Sequence, residues 1–360
     1  MKERLKYVDA AKGLSIIMIM LGHITGYSNS LDNWMSSFKV AIFYIISGFL
    51  MSYTGSVMNR KFKDFSGHLL KNLMLPYLSF SILAIIADIG ILRVKSISFD
   101  ESAEVVRGLV CDTVFLRGIH ALWFLPTIFI GEIIFFILLH SHIAFRMVYA
   151  VAGLFSITAF NKLLDLVENN FKESSFAYVS LSRLCCAFGK SFMAAWFLLL
   201  GFYAFKLYAK LTDNRIKLAL GIVMTVVNIY LSQLNEHVDI NMMKEGIHPT
   251  LFYVGAILGS FGAIMILDFI SSYKDLSGLN YWGKNSLIVL CTHTALGFKA
   301  VIFLGVRKYA FIPRHMCPTY MFMCFVVLIL LMFLTCGVIE FVNNYCPFLI
   351  GKPYKNSNNK

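Results

Sequence analysis

The sequence predicts an all-α fold, a polytopic membrane helix bundle of about ten transmembrane helices. Two observations carry this. Hydrophobic residues make up 58% of the 360 positions and charged ones only 14%, with a mean hydropathy of +0.71. A soluble domain carries about 25% charged residues to wet its surface. The apolar residues also gather into long runs instead of alternating with period two. Among structures that satisfy their own backbone polar groups in lipid, that pattern favours helices over a closed barrel. A soluble enzyme, a nucleic-acid-binding module and a disordered scaffold are excluded by the same composition.

A hydrocarbon core of about 30 Å takes about 20 residues of helix, and ten stretches meet that length. The first, 10–28, has no defined small-residue cleavage site behind it, so it is expected to stay as a helix. The second is 38–57, and the third, 69–91, begins through KNLMLPYLSF. The fourth, 121–140, carries Glu132 in mid-span; the fifth, 144–160, is short and follows a tight turn at 140–142. The sixth, 185–205, opens on Cys185 and Cys186 and holds Lys190. The seventh and eighth are 216–233 and 249–270. The ninth, 285–304, contains Cys291 and His293, and the tenth, 318–342, contains Cys324 and Cys336.

Eight cysteines without a CxxC pair are expected to act as small hydrophobes, not as a disulfide framework. No repeat or Gly/Ser-rich linker divides the chain, so 1–360 is expected to be one integral-membrane domain with no appended soluble domain. Chemistry is then built among the helices and two longer outer loops, 92–120 and 161–184.

The net charge of +12 could suggest a nucleic-acid partner, but its distribution fits the positive-inside rule. With a cytoplasmic N-terminus, eighteen Lys and Arg fall on inner segments and twelve on outer ones. Both termini are therefore expected in the cytoplasm, with the lipid bilayer as partner and no nucleic acid.

An ionisable residue inside a span is costly and calls for a reason. Lys12 and His23 stand eleven residues apart in YVDAAKGLSIIMIMLGHITGY. Eleven steps of 100° return to nearly the same face, about 16 Å along the axis. Ser15 shares that stripe. A basic end with a deeper imidazole suits a long anionic ligand. The plainer alternatives are a snorkelling lysine and a helix-packing histidine. His293, seven residues after Ser286, has the same two readings. His120 and Trp123 open the fourth span, where Trp123 can also be an interfacial anchor. Glu132 and Lys190 are expected to form an ion pair, whereas Asp268 and Glu340 sit near helix ends where water reaches them.

These stretches together resemble the integral-membrane acyltransferase 3 family. YVDAAKG with Lys12 and His23 is similar to its opening helix. FKVAIFYIISGFLMS, with Ser47, Gly48 and Phe49, resembles its second, and KNLMLPYLSF its third. ALWFLPTIF resembles its Leu-Trp-Phe-Leu segment, and GKNSLIVLCTH a late helix ending in histidine. Within the family, the fucose 4-O-acetylase-like branch is the nearest likeness. Many members carry Arg-x-x-Arg at the start of the third helix; here His68-x-x-Lys71 stands in its place.

The resemblance implies a membrane O-acyltransferase, moving an acetyl group from cytoplasmic acetyl-CoA to a hydroxyl of an envelope or surface glycan, free or lipid-linked. The location it implies is a bacterial inner membrane. It assigns acyl transfer to His23, with His293 and His120 as further catalytic candidates. Lys12, Lys71, His68 and Ser15 are the donor-binding candidates, and no metal is implied. An imidazole, titrating near neutral pH, suits the role of general base or of nucleophile. A transporter or lipid-linked glycan flippase, with Glu132 and Lys190 on its pathway, is the alternative reading.

Overall fold

The computed structural model describes residues 3–26, 29–298, 302, 305 and 317–354. The first helix, α1 (Lys6–Thr25), stops at Gly26, whose left-handed backbone (φ 65°) costs a glycine nothing. Next, α2 (Ser30–Phe38) is capped by the Asn29 side chain, which accepts the Asp32 N–H, and α3 (Ala41–Thr54) follows. Helix α4 (Phe62–Leu69) runs through a π-helical turn, Leu70–Met74, into α5 (Leu75–Val94). Pro76 lacks the N–H that Asn72 would need four residues back, and its ring crowds that carbonyl. The widened turn accommodates both.

Helix α6 (Phe99–Val114) is followed by a 3₁₀ turn (His120–Trp123) and α7 (Phe124–His140). Ser141 and His142 separate α7 from α8 (Ile143–Ala152), which continues through a 3₁₀ turn into α9 (Ser156–Asn170). The second half is α10 (Phe176–Tyr208), α11 (Asn214–Asn235), α12 (Pro249–Ser271), α13 (Ser277–Lys284), α14 (Ser286–Thr292) and α15 (Pro318–Tyr345).

Nine helical stretches among the described residues are long and apolar enough to cross a membrane, and no strand occurs among them. The chain is thus the all-α polytopic bundle expected. The expected span 285–304 begins as α14 and runs in part outside the described residues. The two expected outer loops are largely helical. Ser98 accepts the Glu101 N–H, and acids in the first turn favour α6 through the helix dipole. At 33 residues, α10 is about 50 Å long and outreaches any hydrocarbon core.

Burial divides the helices into an inner and an outer group. In α1, 72% of the apolar window is buried, against 17% in α11. The inner group is α1, α3, α7, α10 and α12. On α5, α11 and α15, side chains such as Ile86, Val226 and Phe333 face outward, as lipid contact requires. Close crossings onto the inner helices are made at glycines. A Cβ on Gly48 would overlap the Leu198 carbonyl of α10, and one on Gly283 the Asp9 carbonyl of α1. Such close backbones maximise packing where no hydrophobic drive separates helix from lipid.

Asp268 departs from expectation. It is buried, takes the Tyr208 hydroxyl and lies 2.7 Å from Lys217 Nζ, because α10 and α11 bring those side chains to it. Glu340 is exposed and accepts the Tyr281 hydroxyl.

Candidate active site

A cavity of about 240 Å³ opens beside the Thr25 end of α1. Ile19, Gly22 and His23 come from α1, and His120 and Trp123 from the 3₁₀ turn before α7. Lys39 lies between α2 and α3. His237, Asp239 and Asn241 come from a strap, residues 236–248, between α11 and α12. The end of α1 is pinned, since the Tyr320 hydroxyl of α15 donates to the Thr25 carbonyl. His23 sits in that last turn and is exposed to the cavity.

Behind His23 lies His293, fully buried, their ring centroids 5.3 Å apart. The Val289 carbonyl can only accept, so His293 Nδ1 donates to it at 2.7 Å, which sets the neutral tautomer and ring orientation. Also in the cavity wall, His120 Nε2 is 2.7 Å from Asp88 Oδ2 of α5. A φ of 48° at His120 turns the chain there as it enters the 3₁₀ helix.

Two further polar assemblies brace the walls. Asp32 holds Lys39 Nζ at 3.4 Å through one oxygen and His237 Nδ1 at 2.8 Å through the other. Gly22 makes room for this, because a Cβ there would collide with Lys39 Nζ. Buried Lys190 donates to the Arg117 carbonyl and to Asn241 Oδ1, both at 3.2 Å, and lies 4.9 Å over the Trp123 ring. Trp123 is buried in this contact and is no interfacial anchor.

The structure therefore gathers His23, His120 and His293 at one place. Ser15 is fully buried and does not line the histidine cavity. His68 and Lys71 are exposed around the start of the π-helical turn, with Asn72 beside the His68 ring. Lys12 interacts electrostatically with Glu132 and Asp9.

The expected Glu132–Lys190 pair is not formed. Gly131 packs against α10 at Ser191 and Ala194, so Glu132, 100° further round α7, projects to the side of that contact. It meets Lys12 and the Ser47 hydroxyl instead. The charged pathway on which a transporter reading rested is thereby divided between two places.

The sequence reading passed over Asp88, Asp32, Lys39 and His237. Asp88 was detectable by the intramembrane-charge criterion that singled out Glu132, because it interrupts the apolar run 69–91. No local pattern marks His237.

Among the described residues no cluster of three His, Cys, Asp or Glu could hold a metal ion. What the cavity offers is imidazoles, two of them backed by carboxylates, beside an ammonium. That set can move a proton and stabilise a developing oxyanion.

Comparison with known protein families aligns the acyltransferase domain of the acyltransferase 3 family with residues 5–340. The chain belongs to the acyltransferase 3 family. No curated protein and no solved structure matches it. As an acyltransferase, the protein uses nearly its whole helical bundle for the family domain. The matched region includes every residue named in the cavity, and His68 and Lys71 as well. The acyltransferase thus holds its histidines inside the domain that defines it.

Proposed function

We propose that this acyltransferase moves an acetyl group from acetyl-CoA to a hydroxyl of a surface or lipid-linked glycan, in a bacterial inner membrane with both chain termini cytoplasmic. The observation that carries the reading is His23, an exposed imidazole in a cavity that also holds His120 and Lys39. The likeness of the helix-forming motifs to fucose 4-O-acetylase-like proteins supports the acceptor class.

In this reading the His23 imidazole takes the proton of the acceptor hydroxyl as its oxygen attacks the thioester carbonyl. The tetrahedral oxyanion forms near the Lys39 ammonium, which lowers its energy. The C–S bond then breaks, the ester is released, and the imidazolium returns its proton to the CoA thiolate. The same imidazole could instead carry the acetyl group transiently as an acyl-histidine. The basic Lys12 end of α1, with Lys71 in the π-helical turn and His68 two residues before that turn, would draw the donor's phosphates. As point charges, the lysines supply attraction without a bidentate fork.

The experiment is acetyl transfer in proteoliposomes containing purified protein. Acetyl-CoA is supplied on one side, de-O-acylated surface glycan on the other, and free CoA thiol is followed. Acceptor-dependent thiol release is expected. Release that ignores the acceptor, or none at all, would overturn the proposal.

A further inference from the structure

A second, smaller cavity of about 90 Å³ adjoins the histidine cavity. The two share three wall residues, Ile19, Phe124 and Leu290. Two helices show which way the second one lies. On α1 it adds Ile16, one turn nearer the N-terminal end than Ile19. On α7 it adds Leu125, one residue beyond Phe124, while His120 and Trp123 belong to the histidine cavity alone. The remaining wall includes Leu73, from the π-helical turn that starts one residue before Lys71. The small cavity thus joins the π-helical turn to the floor of the cavity that holds His23.

Its lining is apolar apart from Ser286, and no charged side chain reaches it. The wall it shares with the histidine cavity is stiff. Phe124 stacks on buried Tyr44 at 5.0 Å between centroids and lies edge-on to Phe43 at 5.7 Å, so it has little room to swing. Ile19 and Leu290 are buried to within a few per cent. A ring of this kind tolerates the slim, neutral end of a thioester and resists both bulk and charge.

We propose that this apolar cavity seats the acyl-thioester end of the donor, and that Ile19, Phe124 and Leu290 form a gauge admitting short, uncharged acyl groups. The proposal rests on the acyl-CoA reading above and adds to it the selection among acyl groups. Each extra methylene that must be forced into a close-packed site disfavours transfer by about 10- to 200-fold. A succinyl carboxylate would enter without a partner and lose its hydration.

The test compares acetyl-, butyryl- and succinyl-CoA with wild-type protein and with Leu290→Ala and Ile19→Val, using de-O-acylated surface glycan as acceptor and thiol release as readout. Wild type is expected to use butyryl-CoA at less than about one-hundredth of the acetyl rate, and succinyl-CoA no faster. Leu290→Ala should raise the butyryl-to-acetyl ratio at least tenfold, with succinyl still refused. Ile19→Val, a milder truncation that spares the fold should Leu290→Ala unfold, should raise the ratio about threefold or more. Equal use of the three donors by wild type, or an unmoved ratio in folded variants that still transfer acetyl, would overturn the gauge and leave the acetyltransferase reading standing. Failure of wild type with every acyl-CoA would overturn both.

Discussion

The His23 and His293 imidazoles lie 5.3 Å apart between centroids and are inclined by 49°. They come from α1 and from the residue after α14, and only His23 opens to the cavity. The pair is therefore unequal. His23 can meet a substrate, whereas His293, tied through Nδ1 to the Val289 carbonyl, can act only through its neighbour.

That inequality predicts how the two variants differ. His293→Gln should lower kcat about 10-fold and shift the acidic limb of the pH–rate profile, with donor KM little changed. His23→Gln should cost about 10²–10⁴-fold, as loss of a general base does. A His293→Gln profile superimposable on wild type would reduce His293 to packing.

Gly22 gives a second, steric prediction. A methyl at this position collides with Lys39 Nζ and pushes it from Asp32. The colliding atom ends a flexible side chain, so folding should survive with only a small change in Tm. Gly22→Ala and Lys39→Ala should each reduce acyl transfer about 10-fold, and the double variant should be no worse than the poorer single. Additive losses would separate Gly22 from Lys39.

Asp88 and His120 should behave as one unit, because their side chains share a 2.7 Å contact. Asp88→Asn and His120→Gln are expected to slow transfer to a similar degree. The double-mutant cycle should show coupling of about 0.5–3 kcal/mol in activation free energy. A cycle that closes without coupling would make the contact incidental.

The strap that walls the cavity carries a pH signature. Burial pushes the Glu245 carboxyl up to about 7, against hydrogen bonds to Thr158 and Tyr253 that pull it down. The folded state thus holds this proton more tightly than the unfolded chain does, whose carboxyl titrates near its ordinary value of 4.5. The stability so gained is present at acid pH and is lost as pH rises towards 7. Tm measured between pH 5 and 8 should fall for wild type relative to Glu245→Gln. Parallel curves would contradict the assignment.

Much of the bundle was legible because lipid imposes a single rule, long apolar runs with ionisable residues only where they matter. His23 and His293 stood out on that rule, and Asp88 obeyed it without being noticed. The pairing of Glu132 was misjudged because depth in the membrane says nothing about direction. Gly131 turns one face of α7 to α10 and leaves Glu132 to Lys12 and Ser47. His237 and Asn241 were beyond reach, since the strap takes its shape from distant partners. Ser36 Oγ accepts the Val238 N–H, and Asn161 donates to the Met243 carbonyl. No local pattern around residue 238 encodes either contact.

The most direct test of the account is the rate of acceptor-dependent CoA release by purified, reconstituted His23→Gln beside wild type, with Tm measured on the same samples. Glutamine keeps a hydrogen-bonding side chain but cannot take a proton near neutral pH. The account predicts release at least about 100-fold below wild type with Tm essentially unchanged. A folded His23→Gln protein that releases CoA at the wild-type rate would contradict it.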